Sequence, residues 1–167
     1  MTENLVARDL MLTSFSTVRV DQTLAEAMAV LVENQDDADV PNALVVLDAE
    51  GGYVGLLTAR LLFKSLLTLW MPARAVRKDD ELLERELLTV VGDRSKLKVQ
   101  DTLIRGLPTA SPGDRLLALI DLACDQQLEF LAVVDGGCVL GLVPVTEIFQ
   151  ASASLALTPD DEGIQME

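Results

Sequence analysis

The chain has 167 residues, half of them hydrophobic and only 4% aromatic, with a net charge of −14 and no histidine. That length fits one compact domain or two small packed halves, with a core built from Leu, Val, Ala and Met. The acidity repels phosphodiester backbones, and the missing imidazole removes Ser-His-Asp and Cys-His catalysis together with most zinc sites.

The N-terminus, MTENLVARD, has no basic region followed by an apolar one, so no secretion signal is expected. A short strand around TVRV (17–20) leads to a helix whose start, Thr23-Leu24-Ala25-Glu26, is a capping box. Leu24, Ala27, Met28 and Leu31 then recur at helical spacing. A polar loop, DDADVPN (36–42), precedes two strands, ALVVLD (43–48) and YVGLL (53–57), joined by a Gly-rich turn. Such nearly unbroken Val/Leu runs predict strands covered on both faces.

A further helix starts after GLL (55–57). The run LLTARLLFKSLLTLWM (56–71) is broken by Arg60 and Lys64, which suits a half-buried helix better than a membrane span, and Pro72 stops it. The basic cluster RAVRK (74–78) is cancelled at once by DDELLERE, so no nucleic-acid partner is expected. DDELLERELLTVVGD (79–93) predicts a helix with an acidic start, a Leu82/Leu83/Leu87/Leu88 stripe and Gly92 as its end. That stripe serves packing or a dimer face.

The same order then returns. Asp114 can cap a helix with Leu116, Leu119, Ile120 and Ala123 on one face, LAVVD (131–135) and CVLGLV (138–143) read as strands, and a helix follows GLV (141–143). The last residues, TPDDEGIQME, are polar, acidic and expected to fray. Cys124 and Cys138 form no CxxC pattern, which suits a reduced cytoplasmic compartment with two packing cysteines. Carboxylates are plentiful, but none forms a recognisable catalytic pair or metal cluster.

Laid on itself with Asp9 on Asp101, an offset of 92, STVRVDQTL (16–24) falls on PTASPGDRL (108–116) without a gap, Thr17 on Thr109 and Leu24 on Leu116. Farther on, Gly55 meets Gly141 and Phe63 meets Phe149 at an offset of 86. The loop at 36–42 and one extra turn residue account for the difference.

VARDLM (6–11) against KVQDTL (98–103), the strand-starting Thr17 and Thr109, VVLD against VVD, and the two Gly-apolar-apolar stretches carry a resemblance. The order strand-helix-strand-strand-helix, given twice, is similar to a pair of cystathionine-β-synthase (CBS) domains, a Bateman module, over about residues 5–65 and 97–150. The resemblance implies an α/β (α+β) fold, a tandem CBS-domain pair of two β-α-β-β-α repeats related by pseudo-twofold symmetry. On that reading, residues 1–65 are the first repeat, 66–96 an inter-repeat helical linker, 97–152 the second repeat and 153–167 an acidic disordered tail. It also implies a stand-alone cytoplasmic regulatory or sensor module, commonly a homodimer, with no catalysis, cofactor or metal. Its ligand would be an adenine nucleotide (AMP, ADP or ATP) or S-adenosylmethionine in the inter-repeat cleft. The alternative is a degenerate, ligand-free pair acting as a dimeric protein-interaction scaffold.

The family's ligand signature is Gly-h-h-Ser/Thr-x-x-Asp/Asn, where h is apolar. The hydroxyl caps a helix, the helix N-terminus offers N–H groups to an anion, and the carboxylate accepts from ribose hydroxyls. GLLTARL keeps the cap at Thr58 but has Leu61 in the carboxylate position, where an unpaired buried hydroxyl costs about 1–3 kcal/mol. Arg60 either approaches a phosphate or is a solvated arginine. GLVPVTE loses the cap to Pro144 but keeps a carboxylate at Glu147, displaced by about 1.5 Å for the extra methylene. Glu147 either reaches a ribose or favours the helix N-terminus electrostatically; Thr146 is the nearest hydroxyl, or simply faces water. Thr17 and Thr109 match family positions near the base or phosphates, and Arg105 is a phosphate partner beside Thr109, or a surface arginine. Val133 and Val134 are expected in the core. The signature is thus half-eroded in both copies, in opposite places.

Overall fold

The computed structural model describes residues 4–67, 80–102, 106–126 and 128–158. Pro72 as a helix stop, Arg105 and the end of the acidic tail lie outside them. In chain order the elements are α1 (Ala7–Leu10), β1 (Ser16–Arg19), α2 (Leu24–Asn34), β2 (Ala43–Leu47), β3 (Tyr53–Thr58) and α3 (Ala59–Leu67). They continue as α4 (Asp80–Arg94), α5 (Val99–Thr102), β4 (Thr109–Ala110), α6 (Leu116–Gln126), β5 (Phe130–Asp135), β6 (Cys138–Pro144) and α7 (Val145–Leu157).

The duplicated order gives two sheets, β1-β2-β3 and β4-β5-β6. The first strand pairs parallel with the second in each, Thr17 against Val45 and Thr109 against Ala132. β2 returns antiparallel to β3 through a turn in which Gly51 takes φ +83°, a conformation only glycine adopts freely, and Asp48 accepts from the N–H groups of Glu50 and Gly52. The Val/Leu runs are buried as their composition predicts: Leu44, Val45, Val46, Leu131, Ala132 and Val133 are fully inaccessible. Val134 is half-buried.

Both helical stripes face their sheets. Leu24, Ala27, Met28 and Leu31 join the core with Val18, Leu44 and Leu57, while Leu116, Leu119, Ile120 and Ala123 join Leu131 and Val143. Thr23 caps α2 as expected: its hydroxyl accepts from Glu26 N–H at 3.2 Å, and Glu26 answers to Thr23 N–H. The side-chain hydrogen bond from Gln22, then the Thr23 backbone bond, hold the Glu26 carboxyl below the usual range. Asp114 does not take the capping part expected of it; its carboxylate accepts from Ser111 N–H.

Four other expectations are corrected. Gly92 does not end α4, which runs to Arg94, where the guanidinium donates to Ser65 C=O. The packing face of α4 is Leu87, Val90 and Val91, whereas Leu82 and Leu88 are exposed. Cys124 and Cys138 are both exposed, so neither is a packing residue. The last helix runs to Leu157, into the segment 153–167 expected to be disordered.

The chain divides into two compact units, and the division does not follow the order of the repeats. The first unit lies within Ser14–Leu107 and Gly136–Val139, and the second within Met1–Thr13, Pro108–Asp135 and Leu140–Glu167. Each repeat's lead segment therefore belongs with the other repeat's sheet. In the second unit Ala7 N–H donates to Asp114 C=O and Arg8 N–H to Pro112 C=O; in the first, Val99 N–H donates to Gln22 C=O and Gln100 N–H to Val20 C=O. Every residue in one set has its counterpart in the other at the offset of 92. The bridges Val6–Arg115 and Thr23–Lys98 obey the same offset, and Ala7 and Val99 are both fully buried.

Tyr53, in the first unit, has a buried hydroxyl oxygen without a hydrogen-bond partner, and burial pushes its phenol up to about 12. Removing a hydroxyl that has lost its water and gained no bond relieves a desolvation cost. Tyr53→Phe is accordingly expected to leave the melting temperature unchanged or raise it. The parent chain loses stability from pH 10 towards 12, because the unfolded phenol ionises first, and the variant lacks that loss.

Candidate functional site

The candidate residues divide between the units. Thr17, Thr58 and Arg60 lie in the first; Thr109, Thr146 and Glu147 lie in the second. Arg105 is outside the described residues.

In the first unit, Thr17 is an exposed residue of β1, flanked by Ser16, whose hydroxyl donates to Asn34 Oδ1 at 3.1 Å. That bond ties the end of α2 to β1 and leaves Asn34 Nδ2 buried without a partner. Thr58 ends β3 opposite Ala43 and is 5% exposed. Its hydroxyl accepts from Leu61 N–H at 3.2 Å, which is the helix cap expected from the sequence. The register sets Thr17 and Thr58 two strands and two rows apart, about 12 Å between Cα atoms, a span for a molecule rather than a single ion. Arg60 is exposed in the first turn of α3, and Leu61 is half-buried and apolar.

In the second unit, Thr109 is an exposed residue of β4. Pro144 occupies the N-cap of α7 with φ −65° and ψ 136° and makes no side-chain cap. The helix start survives because proline's fixed φ fits there, and Val145 N–H is satisfied by Glu129 C=O at 2.9 Å. That donor is spent inside the unit, so this helix start offers an anion one N–H fewer. Glu147 stands exposed in the first turn of α7, its charge suited to that helix end. Thr146 opens on a groove of about 530 Å³ along α7, with Phe149, Gln150, Ala153, Ser154 and Leu157.

Sequence reasoning used Phe63 and Phe149 only as markers of the repeat. Both are exposed, 59% and 73%, at matching positions of α3 and α7. An aromatic kept at the same place on the outer side of two helices was the signal available. Among the described residues no group of three or more Cys, Asp or Glu could hold a metal ion, and no helix is long and apolar enough to cross a membrane.

The CBS domain family model matches residues 7–68. No curated protein matches the sequence. Among solved structures, the CBS domain of a CBS domain containing membrane protein from Sphaerobacter thermophilus is similar, with a TM-score of 0.65 at 20% identity over 88% of this chain and 87% of that one. CBSX2 in complex with AMP is similar at a TM-score of 0.61 and 18% identity, over 90% of this chain and 98% of that one. The cytosolic domain of the Mg²⁺ channel MgtE in complex with ATP gives 0.63 and 18%, over 90% of this chain and 49% of that one. These likenesses establish the fold, that of tandem CBS repeats.

Proposed function

Because the chain is a CBS-domain protein with the fold of a tandem pair, we propose that it is a regulatory module that binds an adenine nucleotide through its second repeat, without catalysis of its own. Two proteins of this fold were solved with AMP and ATP, which supports nucleotides as the ligand class. The observation that carries the choice of repeat is Glu147, an exposed carboxylate one turn into α7, with Thr146 beside it and Thr109 on β4 of the same unit. The first repeat keeps the Thr58 cap but has the apolar Leu61 where the carboxylate is needed. A nucleotide regulates only by favouring one of two arrangements of the chain or its partners, so differential affinity is required.

Calorimetry with AMP, ADP, ATP and S-adenosylmethionine tests this. Saturable binding by at least one is expected, and Glu147→Ala should weaken it by about 10–100-fold, the worth of hydrogen bonds to a charged group. No saturation at millimolar concentration would overturn the reading.

The exposed Phe63 and Phe149 favour a second reading, a homodimeric interaction scaffold. Sedimentation velocity without nucleotide tests it: a stable dimer in a chain that binds no nucleotide supports the scaffold, and a monomer at all concentrations removes it.

A further inference from the structure

The second unit holds a stretch of chain by contacts that do not depend on its covalent connection. Four backbone hydrogen bonds fix it: Ala7 N–H to Asp114 C=O (2.8 Å), Arg8 N–H to Pro112 C=O (3.1 Å), and the reciprocal pair between Leu12 and Leu142 (2.8 and 3.0 Å). Ala7 is fully buried, with Leu10 and Met11 packed on the same core, and Asn4 accepts from Arg115. Gly141 is bare beneath the stretch, because a Cβ there would stand 2.7 Å from the Leu12 carbonyl oxygen and 2.9 Å from Met11 Sδ. β6 is an edge of its sheet, so Leu12 occupies backbone groups that would otherwise be open to another chain. Only Thr13, Ser14 and Phe15 join the stretch to β1, the first two exposed.

Within one chain this docking is already an exchange. Residues 98–100 give the first unit the two backbone bonds and the bridge that residues 6–8 give the second, at one offset. A groove that accepts the other repeat's lead segment recognises it by backbone pairing and by a small buried side chain. A second copy of the chain presents those same atoms. We propose that the groove formed by Pro112–Arg115 and Gly141–Leu142 is an exchange site for residues 4–13 of a second copy, and that two chains join by trading these stretches reciprocally, with Thr13–Phe15 as the hinge. The covalently attached stretch has the advantage of a high effective concentration, commonly millimolar, so exchange shows itself in concentrated protein or when the hinge is cut. This inference stands apart from nucleotide binding.

The test uses the full chain with a specific protease site placed between Thr13 and Ser14, folded first and then cut. A fluorescent peptide of residues 1–13 is added before cutting. The native peptide is expected to enter saturably, to one per chain, and unlabelled peptide displaces it. A peptide carrying Ala7→Arg, which cannot fill the buried position, should enter at least tenfold less. Equal entry of both peptides overturns the proposal, as does failure of the native peptide to enter a cut chain that stays folded by circular dichroism. A cut chain that unfolds and is not restored by the native peptide overturns it too.

Discussion

Replacing Gly141 by alanine is expected to destabilise the chain by about 1–3 kcal/mol, the usual cost of forcing a methyl group into a filled site. The new Cβ meets a backbone oxygen, that of Leu12, and not the far end of a side chain that could turn away. Relief requires the lead stretch to lift, which stretches both Leu12–Leu142 hydrogen bonds and disturbs the Met11 packing. Gly92→Ala is the control of opposite sign. Gly92 lies inside α4 with nothing within 4 Å of a Cβ, and alanine there should stabilise by about 0.5–1 kcal/mol through helix propensity. Urea denaturation of the two variants reads both effects. Equal stabilities would mean that residues 4–13 do not press on β6.

A larger loss is expected from Val99→Asp. Val99 is fully buried in the core with Val18, Leu24 and Leu44, although it opens the second repeat in sequence. An uncompensated carboxylate in such a place costs about 3–5 kcal/mol. Val99→Ala removes only methyl groups and should cost less, about 1–2 kcal/mol by the buried CH₂ scale. The aspartate's loss should shrink on acidification. Burial raises the carboxyl's folded pKa above its unfolded value near 3.9, so the folded state binds more protons and the destabilisation grows as pH rises from about 4. A loss independent of pH would indicate that the side chain had found water, and so that Val99 is not in that core.

Local chemistry made much of the fold readable. The Thr23–Glu26 capping box, the helical stripes and the glycine turn at Gly51 are short-range features, each determined by residues a few positions apart. Where sequence reading failed, tertiary contacts decided. Glycine weakens a helix by only about 1 kcal/mol, and packing of Val90 and Val91 with the Arg94–Ser65 bond carries α4 past Gly92. The exchange of lead segments was not readable for a different reason. The two units hold their lead segments by two equivalent backbone bonds and an equivalent bridge, so an internal alignment shows that the segments correspond without showing which sheet each one joins. At the candidate site, the Thr58 cap and the loss of a cap at Pro144 were evident, whereas the use of Val145 N–H by Glu129 was not. That bond joins residues brought together only by the folding of β5 and β6.

The account depends on each unit completing itself with the other repeat's first residues, and paired cysteines measure this directly. In a background of Cys124→Ser and Cys138→Ser, Val6→Cys with Arg115→Cys, and separately Thr23→Cys with Lys98→Cys, place thiols on residues that face each other across antiparallel bridges. Such positions lie within disulfide reach. Mild oxidation followed by peptide mapping should give both bonds in high yield. Failure of both, together with ready bonding of Val6→Cys to Thr23→Cys, would contradict the account.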